Sequence, residues 1–200
     1  KKITEVIFSG GDPLMSKDSH LKWLVTQLEE IPHLIRLRIH TRLPVVIPSR
    51  VNDEFIEWFT NCRFQKVLVL HTNHANEVSP ELARACSRMR ASGITLLNQA
   101  VLLKGVNDNV DEQVSLSESL FEIGVMPYYL HLLDKVKGAA HFDVDVEIAK
   151  ELMKEVIKRL PGYLVPNLVT EIGGQPSKTP IVLNLRLSSS ASLGISVNNR

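Results

Sequence analysis

Short apolar segments of strand length alternate with amphipathic segments of helical length along most of the chain, and this alternation constrains the fold most. Buried β-strands are predicted at EVIFSG, LIRLRIHT, KVLVLHT, TLLNQAVLL and VMPYYLHLL. Helices are predicted between them, at residues 18–30, 52–61, 79–91 and 110–123. Because parallel strands need a crossover connection, the pattern indicates a parallel sheet, either doubly wound or a barrel.

Polar side chains follow nearly every predicted strand at its carboxyl end. They are Ser9 and Asp12, His40 and Arg42, His71 and Asn73, Asn98 and Gln99, and Tyr129 and Asp134. A barrel gathers these ends around one mouth, whereas a doubly wound sheet uses only the point where its strand order reverses. We therefore predict an α/β fold in which residues 3–143 form a barrel or part of one.

The pattern changes after the fifth predicted strand. DVEIAKELMKEVIKRLPG is one helix, and YLVPNLVTEIGGQPSKTPIVLNLRL has the character of two strands around a glycine-bearing turn. We expect residues 144–187 to form a C-terminal helix and β-hairpin extension. The polar segment at residues 188–200 is assigned no fold and is expected to be disordered.

Composition excludes several classes of protein. The 200 residues carry 23 basic and 22 acidic side chains, which argues against a nucleic-acid or membrane-surface binder driven by charge. No apolar run approaches the ~20 residues that cross a bilayer. Cys62 and Cys86 are too few and too separated for a disulfide framework or a metal knuckle. We expect a soluble, cytoplasmic protein, and the missing initial methionine suggests a piece of a longer one.

Two glycine-containing turns carry the most evident chemistry. Gly10 and Gly11 allow close backbone approach after a strand, and Asp12 offers an acceptor to an ammonium or hydroxyl group. In GGQPSKTP, Lys178 can form a Schiff base with an aldehyde cofactor if it is desolvated. An ordinary strand-to-helix turn and a solvated lysine are the plain alternatives.

Other polar residues of the strand ends remain open to two interpretations. Asp134 and Glu171 are acids attached to apolar strands, and they can either hold a substrate ammonium or serve as a loop cap and a surface charge. His71 and its neighbours in HTNHAN resemble metal ligands but lack a third ligand at suitable spacing, so hydrogen bonding is favoured. Gln99 lies within an apolar strand and should have a buried partner.

Six segments occur in the order found in the lysine 2,3-aminomutases, a family that the chain resembles from Glu5 to about Leu187. They are SGGDPLM, RIHTRLPVVIPSRV, HTNHANEVSPE, LLNQAVLLKGVNDN, PYYLHLLDKVKGAAHF and EIGGQPSKTP. The family consists of radical S-adenosylmethionine (SAM) enzymes that also use pyridoxal phosphate (PLP). HLLDKVKGAAHF and EIGGQPSKTP are most similar to the branch that makes (R)-β-lysine for elongation factor P, and less similar to the catabolic clostridial enzymes.

The resemblance implies a SAM site at the first predicted strand and its neighbours. The residues that correspond to the SAM-binding strand end are Ser9, Gly10, Gly11 and Asp12. His71 and Gln99 match polar residues near the adenosyl group.

The resemblance also implies the PLP and substrate sites. Lys178 matches the lysine that binds PLP, and Tyr128 matches a tyrosine of the cofactor pocket. Asp134 and Glu171 match two acids that hold the ε-ammonium of the substrate L-lysine, although the catabolic enzymes have aspartate at the second position. His131 stands where those enzymes have another tyrosine, so no role is carried over to it.

The implied reaction needs a reduced [4Fe–4S] cluster that cleaves SAM, after which a radical removes hydrogen from C3 of lysine and the amino group moves from C2 to C3. The family's cluster is held by a C-x3-C-x2-C motif before SGGD, and an arginine that grips the substrate carboxylate follows it; both are missing here. Cys62 and Cys86 do not substitute. We therefore predict a partial (β/α)6-type radical SAM barrel that has no metal ligands in this chain and is inactive alone.

The implied context is L-lysine as substrate, elongation factor P and its lysyl ligase as pathway partners, and a possible homo-oligomer. A non-radical Schiff-base lyase or aldolase on the same barrel is one alternative. A truncated pseudoenzyme that only binds a partner is another.

Overall fold

Seven strands form one sheet in the order in which they occur along the chain. The computed structural model describes residues 3–134, 138–175 and 177–183. The strands are β1 Glu5–Phe8, β2 Arg36–Thr41, β3 Gln65–Leu70, β4 Thr95–Val101, β5 Met126–His131, β6 Asn167–Thr170 and β7 Thr179–Pro180. The first six pair in parallel, and β7 is antiparallel to β6. The segment predicted to be disordered, 188–200, lies outside the described residues.

Six α-helices connect the strands. They are α1 Asp18–Glu29, α2 Leu43–Val46, α3 Asp53–Asn61, α4 Pro80–Ala91, α5 Val110–Glu122 and α6 Val146–Arg159. Side-chain caps set several helix starts: the hydroxyl of Ser79 accepts a hydrogen bond from the Leu82 amide at 3.1 Å, and Asn52 caps α3 in the same way. None of the described helices is long and apolar enough to cross a membrane.

The strand order is sequential and never reverses, so the sheet is not doubly wound. In a flat sheet, β1 and β5 would lie roughly 19 Å apart, four spacings of about 4.8 Å. Yet Ile7 of β1 and Tyr129 of β5 line the same cavity. The sheet therefore curls into part of a barrel, which confirms the predicted fold class. Strand β6 extends the parallel sheet, because α6 supplies a crossover before it, and only β7 reverses direction.

The two faces of the curled sheet differ in chemistry. On the outer face, alternate strand residues such as Leu37, Ile39 and Leu68 are fully buried against the helices. The inner face bears the residues between them, which are largely polar. They include Arg38 and His40 of β2, Gln99 of β4, and Tyr129 and His131 of β5. Burial of the outer face under helices thus leaves the polar inner face free to form a site.

Candidate functional site

The glycine turn after β1 presents open backbone. Gly10 and Gly11 have φ angles of 89° and 57°, and a Cβ added at either position would meet no atom within 4 Å. These positive angles favour glycine, because other residues rarely adopt them. Ser9 and both glycines are exposed. The turn therefore offers its peptide groups at the carboxyl end of the first strand.

Asp12 fixes this turn to the end of β2. Its Oδ1 accepts hydrogen bonds from the Leu14 amide at 3.0 Å and the Thr41 hydroxyl at 2.6 Å. Its Oδ2 accepts from the amides of Arg42 at 2.7 Å and Leu43 at 3.1 Å. A carboxylate has about four acceptor positions. Since protein donors use all four, the geometry gives Asp12 a positioning role and does not offer the free acceptor that the sequence suggested.

A buried ion pair fixes the same turn from its other side. Arg50 donates from Nη2 to Asp18 Oδ1 at 2.9 Å, and its Nη1 lies 2.9 Å from Asp18 Oδ2. Arg50 Nε also donates to the Leu14 carbonyl at 2.7 Å, and the Trp58 indole donates to Asp18 at 2.7 Å. A bidentate, hydrogen-bonded pair of this kind has a fixed geometry. The glycine turn is thus held between two carboxylates that the helices and β2 position.

Asn73 and His74 are hydrogen-bonding residues of the mouth. The amides of both donate to Glu77 Oε1, at 2.8 Å and 3.0 Å. Asn73 Oδ1 accepts from the Val101 amide at 2.9 Å, which joins the end of β3 to β4. These contacts agree with the interpretation of HTNHAN as a hydrogen-bonding segment.

Three histidines lie on the inner face and are uncharged at neutral pH. Burial is the main cause that lowers the pKa of His40 and of His131 to about 4, and it also lowers the pKa of His71. The positive charge of Lys178 lowers all three pKa values further. His71 Nε2 lies 3.5 Å from His40 Nδ1. Lys178 is therefore electrostatically coupled to the same face that bears His71.

Several polar atoms in this region are buried without a hydrogen-bond partner in the described part of the chain. They are Arg38 Nε, His40 Nε2, Gln99 Oε1 and His131 Nε2. Buried polar groups in proteins nearly always have partners. The sequence led us to expect a hydrogen-bond partner for Gln99, and its side-chain oxygen has none in the described part of the chain. A polar ligand could supply hydrogen bonds to these four buried atoms.

Lys178 opens onto a cavity of about 410 Å³ on this inner face. Its Nζ lies 3.6 Å from Glu171 Oε2 and 6.0 Å from the centroid of the Tyr129 ring. The side chain is 25% exposed, less than that of a fully solvated turn lysine. Ile7 and Arg38 also line this cavity. Ile7 is two positions before Ser9, so the cavity begins beside the glycine turn.

Two tyrosines in contact, with their ring planes 33° apart, also line this cavity. The ring centroids of Tyr128 and Tyr129 lie 3.8 Å apart, and the Tyr128 hydroxyl donates to the Tyr129 hydroxyl at 3.0 Å. Burial, together with this hydrogen bond, raises the pKa of Tyr129 to about 12. Both tyrosines line the cavity, and it is Tyr129 that lies near the lysine amine. Sequence analysis singled out Tyr128 for the cofactor and gave Tyr129 no cofactor role.

The two predicted substrate acids are placed differently. Glu171 is beside Lys178 and has a side chain that is 59% exposed. Asp134 is exposed and is not among the residues that line the cavity. The structure therefore brings one acid to the lysine, and the role of Asp134 stays a prediction.

The cysteines do not fit an iron–sulfur cluster. Cys62 and Cys86 are both buried and free, and burial raises the pKa of both thiols, that of Cys86 to about 12. Iron–sulfur ligation needs thiolates. In the described ranges, no group of three His, Cys, Asp or Glu side chains could hold a metal ion.

Solved structures with the same architecture define the class of the fold. A radical SAM methyltransferase from Sphaerobacter thermophilus superposes with a TM-score of 0.64 at 18% identity, over 86% of this chain and 52% of that one. A domain of a pyruvate-formate lyase-activating enzyme from Bacteroides vulgatus gives 0.56 at 14% identity, over 83% of this chain and 98% of that one. At such low identities the likeness shows the fold alone. The chain has the fold of the radical SAM barrel enzymes.

Sequence relatives narrow this class. The L-lysine 2,3-aminomutase of Escherichia coli is 56% identical over 92% of this chain and 54% of its own length. The enzyme of the same name from Haemophilus influenzae is 55% identical over 89% of this chain and 53% of its own length. The one from Clostridium subterminale is 37% identical over 94% of this chain and 45% of its own length. No family model matches. The chain belongs to the lysine 2,3-aminomutase family, and it spans about half the length of these curated relatives.

Proposed function

We propose that the chain carries the cofactor and substrate residues of a lysine 2,3-aminomutase, an isomerase that converts L-α-lysine to (R)-β-lysine. The observation that carries this proposal is the position of the Lys178 amine, which opens onto a cavity on the inner face of the sheet, near Glu171 and Tyr129. An amine in a partly enclosed, aromatic-walled cavity is suited to covalent capture of an aldehyde. The identity to the Escherichia coli enzyme, 56%, supports the choice of reaction.

PLP fits this cavity. Lys178 would hold its aldehyde carbon, and the Tyr128 and Tyr129 rings offer aromatic surface for its ring. When bound, PLP supplies a conjugated system that lets an amino group migrate between adjacent carbons. The protein's part is to orient the bound amino acid and exclude water.

Glu171 would select a substrate with a second ammonium group. In the structure its carboxylate pairs with the Lys178 amine at 3.6 Å. A carboxylate has about four acceptor positions, so Glu171 can pair with a second cation beside Lys178. An ε-ammonium group of lysine can take such a position, whereas a neutral side chain brings no charge to it. We propose Asp134 as the second acid.

SAM would bind between the glycine turn and the inner face. Ser9, Gly10 and Gly11 offer open peptide groups, and the proposed adenosyl contacts, His71 and Gln99, lie on neighbouring strands. SAM carries a sulfonium cation, and uncharged histidines do not repel it. Asp12 serves this site by holding the turn in place.

We further propose that the product is used to modify elongation factor P through its lysyl ligase in the cytoplasm. Support for this comes from the sequence resemblance: the chain is 56% identical to the Escherichia coli relative and 37% identical to that of Clostridium subterminale. Self-association of the complete enzyme is part of the same proposal.

The test is an assay of the protein encoded by the complete reading frame that contains this chain. It is purified anaerobically, loaded with iron and sulfide, SAM and PLP, and supplied with L-α-lysine. We expect β-lysine, and we expect none from Lys178→Ala with the same iron content. If the wild type binds all three groups and makes no β-lysine, the proposal is wrong. Lysine turnover without an iron–sulfur chromophore would instead favour a Schiff-base lyase.

A further inference from the structure

We propose that Arg38 is the anion-binding residue of the Lys178 cavity, where it takes a phosphate monoester or a carboxylate. The identity of the anion rests on the proposed function, since PLP brings a phosphate and an amino acid brings a carboxylate. The site itself rests only on the contacts and charges of Arg38.

Arg38 is held rigidly on the inner face. It lies within β2, between Leu37 and Ile39, which are both fully buried on the outer face. Alternation along the strand therefore directs Arg38 to the inner face. Its side chain is 17% exposed and lines the same cavity as Lys178. Because β2 is paired with a strand on each side, the position of Arg38 is set before any ligand arrives.

The guanidinium group is only partly used by the protein. Its Nη2 donates to Glu5 Oε2 at 3.1 Å, while its Nε is buried and has no partner among the described residues. A guanidinium has five donors in a planar fork that suits phosphate and carboxylate oxygens. An unpaired buried donor in the wall of a cavity is the arrangement expected when a ligand completes its hydrogen bonding.

The charges at the cavity leave Arg38 incompletely neutralised. Glu5 is shared between Arg38 at 3.1 Å and Arg36, which does not line the cavity, at 3.9 Å. Lys178 is paired with Glu171 at 3.6 Å. Arg38 therefore has only a share of one carboxylate, and the nearby histidines are uncharged at neutral pH. A singly or doubly charged anion is the ligand that this balance favours.

A purely structural role makes a different prediction. Arg38 could serve only to join β1 to β2 through Glu5. Arg36 provides the matched control, because it lies on the same strand and shares Glu5 but does not line the cavity. Loss of a structural link would weaken the binding of charged and uncharged ligands alike, and loss of an anion site weakens only the binding of anions.

The experiment compares pyridoxal phosphate with pyridoxal, which lacks the phosphate. Each aldehyde is fixed to the 200-residue chain with borohydride, and labelling of Lys178 is measured by peptide mass. If Arg38 takes the phosphate, Arg38→Gln lowers labelling by pyridoxal phosphate about tenfold or more, the effect of a lost charged hydrogen bond, and leaves pyridoxal unchanged. Arg36→Gln changes neither, and Arg38→Lys gives an intermediate result because it keeps the charge without the fork.

A second arm detects the carboxylate. L-lysine and cadaverine, which lacks the carboxylate, compete with the labelling reaction. If Arg38 takes the carboxylate, Arg38→Gln removes the preference for L-lysine over cadaverine and leaves the preference for pyridoxal phosphate. If both preferences survive in a folded Arg38→Gln variant, the proposal is overturned.

Failure of the proposed function gives a separate result. If neither aldehyde labels Lys178 in the wild type, inorganic phosphate is titrated while the NMR signals of the chain are followed. Binding that is weakened about tenfold by Arg38→Gln, and not by Arg36→Gln, supports the anion site without PLP. Phosphate binding that does not depend on Arg38, or no binding, overturns it.

Discussion

The amine of Lys178 lies 3.6 Å from the carboxylate of Glu171, and the turn between β6 and β7 brings them together. Glu171 is 59% exposed, so the pair contributes little to folding, since exposed ion pairs are worth about 0–1 kcal/mol. Its importance lies in charge matching at the cavity. Under the proposed function, the lysine that reacts with an aldehyde is held beside an acid that can face the ammonium group of a substrate.

Replacing Glu171 should separate stability from substrate binding. We expect Glu171→Gln to change the free energy of unfolding by no more than about 0.5 kcal/mol. In the complete enzyme, the same change should raise the KM for L-lysine about tenfold or more, because a charged hydrogen bond is lost. Glu147→Gln is the control, since Glu147 forms an exposed ion pair with Lys150 on α6. Equal effects of the two changes on KM would contradict the assignment.

The sequence predicted the elements better than the contacts between them. Strand and helix patterns located five parallel strands and the long helices, because burial of one face imposes periods of two and 3.6 residues. The short helix α2, Leu43–Val46, was missed because four residues are too few to show a period. Alternation left a doubly wound sheet and a barrel open, and the polar strand ends led to the barrel, which has the sequential strand order that is observed.

The site was predicted less completely. Lys178 and Glu171, which both line the cavity, were named through the family resemblance, and their roles stay predictions. Arg38 and Tyr129 were not singled out for the cavity. Alternation along β2 and β5 predicts which residues share a face of the sheet. Only the curl of the sheet shows that the two strands line one cavity. The pairing of β4 with β5 also shifts register between Asn98 and Gln99, an irregularity beside the two tyrosines that alternation does not predict. Asp12 had the expected place, but its four protein donors could not be foreseen because they come from the end of β2.

Asp12 should be a stability residue as well as part of the site. Asp12→Asn keeps the shape but replaces one acceptor oxygen with a donor that faces other donors. We expect it to lower the free energy of unfolding by about 2–3 kcal/mol, measured by chemical denaturation. Asp53→Asn is the control, because that carboxylate is fully exposed and pairs only with Arg88 at the surface. A variant at Asp12 as stable as the control would show that the four hydrogen bonds are unimportant.

Any residue other than glycine at position 10 or 11 should lower the stability of the glycine turn. Gly10→Ala and Gly11→Ala each place a Cβ on a backbone with positive φ, at a cost of about 1–2 kcal/mol. Space is not the cause, since a Cβ meets no atom within 4 Å at either position. Gly162→Ala is the matched control, because Gly162 has equal space and no positive φ. We expect SAM binding by the complete enzyme, measured by calorimetry, to weaken in the first two variants. Unchanged stability and binding in both would contradict the role of the turn.

The buried histidines should make the fold sensitive to mild acid. His40 and His131 have pKa values of about 4 when folded, against 6.5 as the ordinary value. Between these values the unfolded chain binds protons that the folded chain excludes, so the free energy of unfolding falls as pH decreases. The stabilisation is fully present above about pH 6.5 and is lost as pH falls towards about 4.

Denaturant unfolding of the chain across this pH range checks the effect. His131→Asn cannot be protonated there, so its stability should fall less steeply with decreasing pH than that of the wild type. His20→Asn, at an exposed position of α1, should retain the wild-type slope. Carboxylates contribute the same background to all three proteins, so the difference in slope isolates the histidine. Identical slopes for wild type and His131→Asn would mean that His131 is not held in its uncharged form by the fold.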